Sequence, residues 1–155
     1  MTIKFGAIAA IALMLTSFPA ISQSKKDDDD DKPARASLSG LLTGVKKLDP
    51  ITLSSGKPIA AKPYELQSGK YYRLAIDSDG TAELAVAGSD FFRNIWINEI
   101  VIDGIEIRPM GGVESIEFDK AGKATISFVT IRPGTFHLRI PNTTSEAQQA
   151  VFNVK

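Results

Sequence analysis

The chain reads as an all-β protein, a sandwich of about eight short strands, and three observations carry that reading. Apolar residues recur at every second position in several stretches, among them Ala124-Ile126-Phe128 and Ala150-Phe152-Val154, which is the period of a half-buried strand. Turn-forming residues punctuate the chain at short intervals, at Ser68-Gly69, Asp79-Gly80, Asp103-Gly104 and Pro133-Gly134. Beyond Ile51 no stretch of any length carries apolar residues at helical spacing. A chain of 155 residues, 43% of them hydrophobic, can bury one core, and roughly 100 to 150 residues is the usual size of one domain.

The first 22 residues read as a signal peptide: Lys4 gives a positive start, an apolar run extends from Phe5 to Phe18, and Ala20-Ile21-Ser22 offers small residues for cleavage after Ser22. The run is shorter than the ~20 residues that span a bilayer, so no membrane span is expected after cleavage. Export without any cysteine points to a bacterial periplasm, and it removes disulfides and thiolate ligands together. Residues 23–45 read as a charged, flexible linker. Lys25-Lys26, the aspartates Asp27 to Asp31 and Lys32-Pro33 have no apolar area to bury, and without turn geometry such carboxylates make no dedicated metal site. The same run is similar to an enterokinase-type cleavage sequence, so no function is assigned to it. Ser37 to Val45 is either a short helix or a bridging loop.

The sandwich is expected over 46–155. Ile51 with Leu53, and Tyr64 with Leu66, mark two short strands that Pro58 and Pro63 confine to sheet edges or strand starts. After a turn at 67–70, Tyr72, Leu74 and Ile76 face inward while Tyr71, Arg73 and Ala75 face out. Asp77-Ser78-Asp79-Gly80 closes that strand as a turn; a calcium loop of the EF-hand kind would need further oxygen ligands and flanking helices. Leu84 and Val86 continue the sheet. Asp103-Gly104, flanked by Val101-Ile102 and Ile105, signals a two-residue hairpin, and Met110-Gly111-Gly112 a flexible link. Ile116 and Phe118 then form a hairpin with the strand of Ala124, Ile126 and Phe128, and Arg132-Pro133-Gly134 turns the chain into Phe136, Leu138 and Ile140. These pairings predict an antiparallel protein.

Two segments, Tyr64 to Ile76 and Phe128 to Pro141, resemble the cupredoxins, most of all in Arg132-Pro133-Gly134-Thr135-Phe136, which is similar to that family's lead-in to its metal-binding loop. The resemblance covers residues 62–155 and implies a Greek-key sandwich. It also implies a type 1 copper site of two His, one Cys and an axial Met. The positions that would carry it hold other residues: Ile140 where the Cys would stand, Thr143 to Ala150 where the second His and the Met would follow, and Arg93 or Asn94 near the upstream His. His137 is the sole imidazole and alternation turns it away from that corner; with Met110 it is one of two residues that could contribute to a Cu(I) site. No copper is therefore expected, although the resemblance keeps a copper-binding or electron-transfer protein with unfamiliar ligands as the alternative.

The function expected is an exported, cupredoxin-like, non-enzymatic module that binds a periplasmic protein or a small ligand. Lys plus Arg and Asp plus Glu each number 18, so no net field recruits nucleic acid. No nucleophile elbow or phosphate loop is present, and Glu99, Asp103, Glu106 and Glu114 read as exposed strand and turn positions, so no catalytic residue is assigned. The densest mixture of aromatic and polar residues runs from Phe91 to Ile100. Phe91, Phe92, Arg93, Asn94, Trp96 and Asn98 are the candidate contact residues, because Trp, Arg and aromatics contribute most at interfaces; for Phe92 and Trp96 a place in the core is the competing reading.

Overall fold

The computed structural model describes residues 40–155. The expected signal peptide and residues 23–39 of the expected linker lie outside the described residues. A 3-10 turn, Gly40–Leu42, stands in place of the helix or loop expected there. Eleven strands follow: β1 Lys46–Lys47, β2 Ile51–Leu53, β3 Tyr64–Leu66, β4 Tyr71–Ser78, β5 Leu84–Ala87, β6 Ile95–Ile102, β7 Ile105–Ile107, β8 Ser115–Phe118, β9 Gly122–Thr130, β10 Gly134–Arg139 and β11 Gln149–Val154. Between β5 and β6 lies a one-turn helix, α1, Ser89–Phe92. No helix among the described residues is long and apolar enough to cross a membrane.

The strands form two sheets. One has the order β1-β4-β9-β6-β7, with β2 also on β4; the other has the order β3-β11-β10-β5-β8. The all-β sandwich is thus present, with more strands than expected because several are only two to four residues long. The longest strand shows why the pattern was readable: in β9, Ala124, Ile126 and Phe128 are fully buried on one face. In β11, Ala150, Phe152 and Val154 do the same from the other sheet, and both sets belong to one apolar cluster. Burying a large apolar side chain is worth about 1.5–3 kcal/mol, so this shared interior holds the sheets face to face. Asp103 and Gly104 take positive φ of 49° and 79°, the conformation of the tight turn joining β6 to β7, and Ile102 faces Ile105 across it.

Two expectations are corrected. Three ladders are parallel, β1 on β4, β2 on β4 and β3 on β11, so the sheets are mixed rather than antiparallel throughout. These are short pairings between segments distant in sequence, which no local turn announces. The expected hairpin at 116–128 is also absent. β8 pairs with β5 in one sheet and β9 with β4 and β6 in the other, so the turn at 119–121 carries the chain across the sandwich. Arg132-Pro133-Gly134 carries it back to β10. Tyr71, expected outside, is nevertheless buried: it stands on the outer face opposite Val129, and its hydroxyl accepts the Asn98 side-chain amide at 3.1 Å.

Candidate functional site

The Phe91 to Ile100 stretch divides at the end of α1. Gly88 precedes the helix in an extended conformation, and a side chain there would put a Cβ 2.1 Å from the His137 carbonyl oxygen. Glycine lets α1 approach β10 that closely. The next anchor is Asp90. Its carboxylate oxygen Oδ2 accepts the His137 backbone N–H at 2.9 Å and lies 3.0 Å from the ring Nδ1, which must carry a proton to make that bond. Held this way, the helical turn drives Phe91 between the sheets. Its ring packs on Phe128 of one sheet and Phe152 of the other, with centroids 5.4 Å and 4.3 Å away, and on Phe92 at 5.6 Å.

Phe91 is fully buried, which corrects its place among the contact residues: a core ring cannot meet a partner without unfolding the sandwich. Asn94 is spent on the chain itself. Its Nδ2 donates to the Asp90 carbonyl at 2.7 Å, and its carbonyl accepts the Ile131 N–H. Asn98 occupies the register shift between Ile97 and Glu99 and joins Tyr71 to Arg108. Glu99 is not the exposed carboxylate expected. Its side chain is 14% exposed and pairs with Arg108 at 3.4 Å and Arg73 at 4.0 Å.

Arg93 and Trp96 do meet. They line an open cleft of about 590 Å³ with Phe92, Pro109, Met110 and Glu114. Trp96 stands opposite Val129 on the outer face of its sheet and is 49% exposed; Met110 is fully exposed. The Arg93 guanidinium forms no hydrogen bond or ion pair among the described residues. Met110-Gly111-Gly112 was legible only as a link, since nothing in the sequence tells which wall a Gly-Gly loop will face.

The residues do not fit a type 1 copper centre. Ile140 is buried with its N–H bonded to the Gln148 carbonyl at 3.0 Å, no His or Met lies between Thr143 and Ala150, and Asn94 offers an amide that is already engaged. His137 is held by Asp90 and does not line the cleft where Met110 lies, so the two are not brought into one site. Among the described residues no three His, Cys, Asp or Glu side chains are grouped to hold a metal.

Ionisation elsewhere follows local contacts. Burial, then the nearby Asp49 carboxylate, pushes the Tyr64 phenol up to about 12. The nearby Ser54 hydroxyl, together with hydrogen bonds from the Thr81 hydroxyl and backbone N–H at 2.6 Å and 3.0 Å to Asp79 Oδ1, lowers the Asp79 carboxyl to about 2 in the turn after β4.

No family model matches the sequence, and no curated protein does. Solved structures do match in fold. A multi-copper oxidase from Pseudomonas thermotolerans is 14% identical with a TM-score of 0.55, covering 79% of this chain and 32% of its own. A multicopper oxidase from Campylobacter jejuni, described as a metallo-oxidase, is 9% identical at 0.49, with coverage of 80% and 32%. The copper nitrite reductase from Nitrosomonas europaea is 15% identical at 0.48, with coverage of 62% and 33%. The chain spans about a third of the length of these proteins. It has the cupredoxin-like fold. The expectation that the chain is not an enzyme is corrected here: a multi-copper oxidase shares this fold, so a missing nucleophile or phosphate loop gives no ground for excluding catalysis.

Proposed function

We propose that the chain is exported to the periplasm and works there as a cupredoxin-like binding module whose cleft receives a partner protein or a small ligand. Export rests on Lys4, the apolar run that follows it and the small residues before Gln23. The binding reading rests on one observation: the cleft brings side by side a half-exposed Trp96, a fully exposed Met110 and an Arg93 guanidinium that has no partner among the described residues. Trp and Arg supply most of the energy where interfaces have been dissected, and Met adapts its shape to what it meets. A guanidinium so placed is ready for a carboxylate or phosphate.

The test compares Arg93→Ala and Trp96→Ala with the parent protein in capture from periplasmic extract, with melting temperatures measured alongside. Each variant is expected to lose at least about tenfold in affinity, ~1.4 kcal/mol, at unchanged melting temperature. Loss of the fold in both would make these residues structural instead. Loading with Cu(II) followed by dialysis is expected to leave no bound copper; retention of about one equivalent would favour a carrier with unfamiliar ligands.

A further inference from the structure

β7 ends its sheet, and its outer edge is unpaired among the described residues. Such an edge offers a row of free N–H and C=O groups to another strand. Two features separate this edge from an ordinary solvated one. Ile105 and Ile107 are 66% and 44% exposed, and they share a face with Ile102 and the buried Ile100 opposite them, so an apolar strip runs from the core off the edge. On the other face stand Glu106 and Arg108, two residues apart, whose exposed side chains pair with each other at 3.2 Å within one chain and so are free to exchange that pairing for the same two groups of a second copy.

We propose that this edge pairs antiparallel with the same edge of a second copy of the chain, with Ile107 facing Ile107 across a two-fold axis and Glu106 facing Arg108 of the second copy. The register follows from charge and hydrogen bonding together. In a two-residue hairpin the residues flanking the turn, Ile102 and Ile105, bond each other, so by alternation the N–H and C=O of Glu106 point away from β6. An axis at Ile107 places the outward groups of Glu106 against those of Arg108 and opposes the charges twice. An axis at Glu106 would set that carboxylate against itself, as in-register parallel pairing would. Pro109 has no N–H, so the ladder ends at Arg108 and the isoleucines supply most of the contact. The surface is separate from the function proposed for the cleft.

Sedimentation equilibrium of the purified protein tests this. The parent protein is expected to dimerise, and Ile107→Lys, Glu106→Arg and Arg108→Glu each to weaken the dimer by about tenfold or more. Mixing the Glu106→Arg and Arg108→Glu proteins is expected to restore a mixed dimer, and the double reversal in one chain to restore the homodimer. The mixed dimer excludes misfolding as the cause, since each of its chains still lacks the Arg108 pair with Glu106, and one of them the pair with Glu99. A parent protein that stays monomeric up to about 1 mM, or a dimer that all three substitutions leave intact, overturns the proposal.

Discussion

Phe91 and Trp96 belong to one short run of aromatic and polar residues, and the fold sends them to opposite fates. Phe91 closes the interior between the two sheets; Trp96 stands on an outer face at the rim of a cleft. The difference does not come from their chemistry, since both are large aromatics. It comes from α1, which Gly88 and Asp90 fasten against β10, and from the strand that restarts at Ile95 with its period of two. One end of the run stabilises the sandwich, and the other is open to solvent.

The sharpest way to break this contrast is to treat both residues alike. Phe91→Ala is expected to cost about 3–5 kcal/mol in urea unfolding, because it opens a cavity between the sheets. Gly88→Ala comes next, at about 1–3 kcal/mol, because its Cβ meets the His137 carbonyl and must push α1 off β10. Trp96→Ala is expected to change stability by less than about 1 kcal/mol while removing ligand capture. Should Trp96→Ala unfold the protein as readily as Phe91→Ala, the division between interior and rim is wrong.

A separate effect is expected from pH. The folded pKa of Tyr64 lies above that of the unfolded chain, so the neutral phenol contributes stability that is complete below pH 10 and fades as pH rises from about 10 to about 12. Tyrosinate absorbance should show Tyr64 ionising near the upper figure, and Tyr64→Phe should remove that step. An ionisation near 10 would show the ring to be in contact with water.

What could be read beforehand was what neighbouring residues decide. Ala124-Ile126-Phe128, Ala150-Phe152-Val154 and the Asp103-Gly104 turn each carry their geometry within a few positions, and the structure keeps them. Asp119 to Ala121 shows the limit. Its residues specify a turn but not the sheet that the next strand joins, which depends on β4 and β5 far upstream. The site divided along the same line. Arg93 and Trp96 stood out by type, whereas the burial of Phe91 and the approach of Met110 depend on contacts between distant segments.

The most direct test of the cleft as the working surface is site-specific photo-crosslinking in cells that make the protein. A photoreactive side chain at Met110 or Trp96 is expected to yield an adduct, whereas the same group at Ile131, an apolar position about as exposed as Trp96 but outside the cleft lining, is expected to yield none. Adducts from Ile131 with none from Met110 or Trp96 would contradict the account.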